Sequence, residues 1–253
     1  MEKLIAQLMR LYMTAGLNEA DLLTRRALGQ LTLPVALSTP GGMTRAIVIP
    51  FDKARYEVDG QHWTRLCEVA HALQVQYGFP APGVSISANS GFRLWLSLEA
   101  PVPVGQVQQL LTLLQGAFPD LAVAPDAVMP TVELPPCRDE GSGRWAAFIH
   151  PGMGASFVDE PGLEMAPPPM AQAAFLEQLE SIELAQFHAA IAALQPARLP
   201  AAPQAAVGPA SAPPAAAGEL LLRDATLEDI VRHLHAKNIE PTFRHLVNRS
   251  GAG

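Results

Sequence analysis

SISANSGFRLWLSL, residues 85–98, is the stretch on which the reading of this chain turns. A Ser90-Gly91 turn divides it, and the second half alternates strictly. Phe92, Leu94, Leu96 and Leu98 share one face of a strand, and Arg93, Trp95 and Ser97 share the other. With GVSISAN (83–89) before the turn, the pattern predicts a β-hairpin. Upstream, AIVIPFDK (46–53) is an apolar, β-branched strand ending in an acid. The turn TPGG (39–42) between LTLPVALS and MTRAIVIP predicts a first hairpin over 31–50. Between the two hairpins, Trp63, Leu66, Cys67, Ala70 and Leu73 recur at helical spacing over 61–77, which assigns Cys67 to the core.

Farther out, Leu4, Ile5, Leu8, Met9 and Tyr12 mark a first helix, and Asn18 caps a second through Leu22, Leu23 and Leu28. Downstream come a helix over Val104–Phe118, strands in VELPP (132–136) and RWAAFI (144–149), and one long helix from Met170 to about Leu194. Strand pairs separated by helices make the class α+β, an antiparallel or mixed sheet flanked by helices. Residues 200–218, PAAPQAAVGPASAPPAAAG, carry no charge and read as an extended linker. Beyond it, residues 219–253 read as a small helical tail, capped at Thr226 and suited to docking on a protein partner. The body is therefore residues 1–199, with its core over 31–150.

Among 253 residues, 17 basic side chains face 24 acidic ones, a net charge of −7. That balance excludes a protein that coats nucleic acid by charge alone, though not a local groove. Two cysteines exclude a disulfide scaffold and a four-cysteine zinc site. No apolar run approaches the roughly 18 residues of a membrane span, and the amphipathic start MEKLIAQLMR is no signal peptide. A cytoplasmic protein without membrane attachment is the expectation. Walker-type, Gly-x-Ser-x-Gly and His-Glu-x-x-His signatures are missing. His233 and His235, two apart on a presumed helix, point to different sides and read as surface residues. Cys137, after Pro135-Pro136, reads as exposed, with no partner base in view.

One ordered series remains: AIVIPFDK, the Ser/Gly turn entering FRLWLSL, then EAPVP (99–103) and a helix, then ELPP and GRWAAFI. In order and spacing this resembles the primase–polymerase core of the archaeo-eukaryotic primase superfamily, and most closely the primase domain of TOTE conflict-system proteins. The resemblance covers roughly residues 44–150 and implies a primase-like, RRM-like sheet. It also implies where chemistry would sit. Such enzymes transfer nucleotidyl groups with divalent ions held by paired carboxylates. The first acidic station falls on Pro50, which has no side-chain ligand, and the second on Asp52, the implied catalytic and metal residue. The histidine that meets the incoming triphosphate falls on Arg93. Arginine forks onto phosphate but does not shuttle a proton. Ser87, Arg93 and Trp95 are the implied nucleotide- and phosphate-binding set; Arg93 and Trp95 read either as a platform, with Arg on phosphate and Trp stacking on a base, or as part of a half-exposed strand whose Trp is covered by a helix. The third carboxylate falls on His150, which can ligand Mn or Zn but suits Mg poorly; His150-Pro151-Gly152 reads either as lining the same cleft or as simply turning the chain after a strand. Glu57, Asp59 and Asp126 read as solvated loop residues.

Framework kept and stations altered imply a degenerate primase–polymerase core. The leading expectation is a non-catalytic subunit of a replication or mobile-element complex that binds nucleotide or single-stranded DNA weakly. An active primase or polymerase, with Asp52 and His150 holding Mn or Mg, is one alternative. A pure protein-interaction module is the other.

Overall fold

The computed structural model describes residues 1–14, 20–54, 58, 60–119 and 131–195. The chain divides at Pro200 into two units, Met1–Pro200 and Ala201–Gly253. The expected linker, the helical tail, the Asn18 cap, and Glu57, Asp59 and Asp126 all lie outside the described residues. Among the described residues no helix is long and apolar enough to cross a membrane.

The class is α+β. Helices α1 (Glu2–Tyr12) and α2 (Ala20–Ala27) precede strands β1 (Val35–Ala36) and β2 (Met43–Asp52). Then follow α3 (Gln61–Val75), β3 (Gly83–Ile86), β4 (Gly91–Pro103) and α4 (Val104–Ala117). The strands β5 (Thr131–Val132), β6 (Cys137–Arg138) and β7 (Trp145–Ile149) come next. A 3₁₀ helix over Pro151–Phe157 leads to α5 (Pro169–Glu177) and α6 (Leu184–Leu194). Five strands form one sheet in the order β2-β4-β3-β7-β6. Every neighbouring pair is antiparallel, so the sheet is not mixed.

The sheet separates two apolar cores, as its period-two patterning dictates. On one face Ile47, Ile49, Phe51, Phe92, Leu94, Leu96 and Leu98 pack against α3, α4 and α6. In α4 the stripe Val107, Leu110, Leu111 and Leu114 supplies the contact at helical spacing. On the other face Ala46, Val48, Trp95 and Phe148 pack against α1, α2 and α5, joined by Val35 of β1 and Val132 of β5. The alternation read in residues 92–98 thus sorts side chains into different cores.

Three expectations are corrected. The first hairpin does not form as a ladder. Only Ser38 bridges Thr44 across the turn, while Val35 and Ala36 leave to pair with Val132 and Thr131. The long C-terminal helix is two helices. Ile182 between them lies in a bridge to Leu98, receiving a hydrogen bond from Glu99 N and donating one to Ser97 O. Glu183 then starts α6 with a capping box closed by Gln186. The break carries the chain across the sheet edge, since Leu176 of α5 belongs to one core and Phe187 of α6 to the other. The cysteines exchange environments: Cys67 is exposed and Cys137 is buried. In α3 the buried stripe runs through His62, Leu66, Val69, Ala70 and Leu73, one helical position away from Cys67.

Candidate functional site

The site follows from register on the face that carries Trp95. Pro50 and Ser85 flank Arg93 in one row across the sheet, with Phe148 beside Ser85. One step toward the turn, Asp52 stands opposite Gly91, and Ser87 N donates to Gly91 O. Period two sends Asp52, Ser87 and Arg93 to the same side of the sheet. Three of the sequence-derived residues therefore meet at one corner.

There they form a polar chain. Arg93 Nη1 donates to Asp52 Oδ1 at 2.5 Å, and Nη2 donates to Ser90 Oγ at 3.1 Å. Ser90 Oγ and Ser87 Oγ lie 3.1 Å apart as a hydroxyl pair. Ser87 Oγ also accepts from the Ser90 and Gly91 backbone N–H groups, both at 2.9 Å. The Ser87 hydroxyl is thus committed to shaping the turn, and its effect on a ligand passes through Ser90 and Arg93. Gly91 is required here. Its φ is +143°, and a Cβ would strike the Phe51 carbonyl oxygen.

Trp95 is 1% exposed. Its Nε1 donates to Ser85 Oγ at 2.8 Å, and its ring packs on Tyr12 and edge-on to Phe148, at 5.2 Å and 5.6 Å between centroids. With α1 closed over it, neither ring face is open to a stacking base. Trp95 supplies a wall and fixes Ser85.

A cavity of about 380 Å³ opens on this face. Val48, Ser85, Ser87, Arg93 and Trp95 form its floor, while Pro34, Thr131, Val132, Glu133 and Pro135 form its roof. Sequence reasoning missed the roof. Glu133 and the β1–β5 pair (Val35–Ala36 with Thr131–Val132) reach the site only because two-residue strands far apart in sequence meet, and no periodicity announces such pairings.

His150 is not part of this constellation. It follows Ile149, which pairs with Val84 and so shares a row with Leu94 and Ile49. From Asp52 it is three strands away, about 14 Å, and four residue steps along them, about 13 Å. It is exposed, and its Nδ1 accepts from Gly152 N at 3.1 Å, capping the 3₁₀ helix. The glycine-rich helix that follows packs on α3, with Gly154 against the Trp63 ring. Lys53 pairs with Asp159 at 2.9 Å just beyond it.

The residues present do not fit the divalent ion that the primase resemblance implies. Asp52 is engaged by a guanidinium, Pro50 offers no donor, and His150 is too distant to share a ligand sphere with Asp52. Among the described residues no group of three His, Cys, Asp or Glu is arranged to hold a metal ion. What the corner can do chemically is receive an anion, on a planar guanidinium presented at a cavity floor. No protein-family model matches the chain, and no curated protein matches it in sequence.

Proposed function

We propose that this chain is a nucleic-acid-metabolism protein whose degenerate primase–polymerase core binds, without catalysis, a nucleotide or the phosphate backbone of a short single strand. The observation that carries the reading is Arg93, set at the floor of a cavity of about 380 Å³ and oriented by Asp52 and Ser90. That volume lies within the ~300–1,000 Å³ range of small-ligand sites. Apolar surface from Val48 and Val132 offers room for a base, and Asn89 and Glu133 offer polar contacts. One oriented cation and a net charge of −7 favour weak, local binding over a continuous strand-binding track. The non-catalytic reading draws on the consumption of Asp52 by Arg93, on Pro50, and on the distance of His150.

The test is equilibrium binding of a labelled deoxynucleoside triphosphate and of a short oligothymidylate at low salt, for wild type and Arg93→Gln. A charge-assisted bond contributes about 1.5–3 kcal/mol, so Arg93→Gln weakens binding roughly 10- to 100-fold. Template-dependent incorporation with Mn or Mg, abolished in Asp52→Ala, would replace this reading with the active polymerase. No binding by folded protein would leave an interaction module working through other surfaces.

A further inference from the structure

Arg26 is the one fully buried Lys, Arg, Asp or Glu among the described residues, at 1% exposure on the last turn of α2. Its Nε, Nη1 and Nη2 reach no oxygen acceptor among the described residues, and the Cys137 sulfur lies beside them. Taking a guanidinium out of water costs several kcal/mol unless an anion and hydrogen bonds compensate, and the neutral Cys137 thiol beside it is a weak acceptor and no anion. Buried polar groups are as a rule satisfied, so an orphaned guanidinium marks a partner still to be supplied.

Its surroundings place it next to the cavity. The Arg26 guanidinium neighbours the Cys137 thiol, on which Glu133 also acts electrostatically. Cys137 pairs with Ala146 and clusters with Ala88, the residue after Ser87. Glu133 and Pro135, both lining the cavity, stand four and two residues before Cys137. The β5–β6 connection, residues 133–136, thus runs from the cavity lining to Cys137, beside which Arg26 lies.

We infer that Arg26 anchors a buried oxyanion site behind the β5–β6 connection, taking a phosphoryl group, with that connection as the wall that moves to admit it. The guanidinium fork donates to an oxyanion bidentately, and the anion's charge offsets the buried positive charge as a neutral acceptor does not. Glu133 on that connection repels an anion and guards the entrance. This inference does not depend on ligand binding at Arg93.

Thermal unfolding of the full chain in phosphate, pyrophosphate and a nucleoside monophosphate, against chloride at equal ionic strength, tests it. The expected result is a midpoint that rises with phosphoryl concentration and not with chloride. A rise with all three probes identifies free phosphate as a sufficient ligand, and a rise with the monophosphate alone identifies a nucleotide's phosphate. Arg26→Met lowers the rise to what Arg93 alone supplies, and Arg26→Met combined with Arg93→Gln abolishes it; Arg26→Met also raises the midpoint without ligand, because an apolar isostere removes the buried charge. Arg93→Gln keeps a rise, which separates this site from the floor of the cavity. Should Arg26→Met fail to fold, Arg26→Lys keeps the charge without the fork and weakens the response roughly tenfold. A wild-type midpoint indifferent to all three probes overturns the inference, as does an Arg26→Met response equal to wild type.

Discussion

Arg93 and Asp52 face each other diagonally across the β2–β4 pair, and the guanidinium donates from Nη1 to Oδ1 at 2.5 Å. Pro50, which stands directly opposite Arg93, presents no polar atom to compete. The side chains are 18% and 51% exposed, so the pair works in a largely aqueous dielectric. Its role is orientation more than stability. The proposed role for Arg93 and the reassignment of Asp52 from metal ligand to guanidinium partner both depend on this geometry.

Asp52→Ala therefore costs less than about 1 kcal/mol in denaturant unfolding. It also keeps anion binding within a few-fold of wild type, because losing the orienting carboxylate is offset by losing a competing negative charge. Arg93→Gln in the same binding assay loses roughly tenfold or more. Equal losses in both variants would contradict this division of roles.

Trp95→Phe tests the buried wall. The substitution leaves Ser85 Oγ without its indole donor in a closed environment, and the expected cost is about 1–3 kcal/mol. Nucleotide affinity changes little, because the ring contributes no open face. A large loss of affinity at unchanged stability would restore Trp95 as a stacking platform.

At Gly91 a side chain is excluded by both backbone conformation and space. Gly91→Ala should lower unfolding stability by roughly 1–3 kcal/mol, with the turn that carries Ser90 displaced. Binding then falls along with stability, in contrast to Arg93→Gln, where only binding falls.

The two cysteines should differ in reactivity and in their pH signature. Cys67 is exposed and should react with a thiol reagent in the native state, whereas Cys137 should react only on unfolding. Burial, the larger influence, pushes the Cys137 thiol up to about 11 against the opposing charge of Arg26. The unfolded thiol ionises near its ordinary value of 9.0, so between there and 11 the unfolded state releases its proton first. Stability is then full below about pH 9 and declines above it, by roughly 2 kcal/mol from this group. Burial raises the Tyr12 hydroxyl as well and steepens the alkaline loss. Urea unfolding of wild type and Cys137→Ala at several alkaline pH values measures the difference.

Much of this was legible in the chain itself. Alternation through Phe92–Leu98 assigned each side chain its face, and the Ser90-Gly91 turn fixed the hairpin, because period two and turn chemistry are local properties. Ser87, Arg93 and Asp52 are singled out by the primase resemblance, and one turn and one strand pair bring them to one corner. Where the sequence misled, the deciding interaction was non-local. Val35–Ala36 abandoned its nearest partner for Thr131–Val132, ninety-odd residues away, building a roof that no local pattern encodes. The stripe from Phe175 to Ile191 looked continuous, yet its two halves serve opposite faces of one sheet, and only the sheet edge at Leu98 and Ile182 breaks it. His150 followed the right strand but at the wrong end of the rows, since distance across a sheet is set by strand order, and strand order is a property of the assembled fold. The enclosure of Trp95 by Tyr12 and the isolation of Arg26 are likewise tertiary facts: burial depends on what the rest of the chain lays over a residue, and the residue's own neighbours in sequence do not determine that.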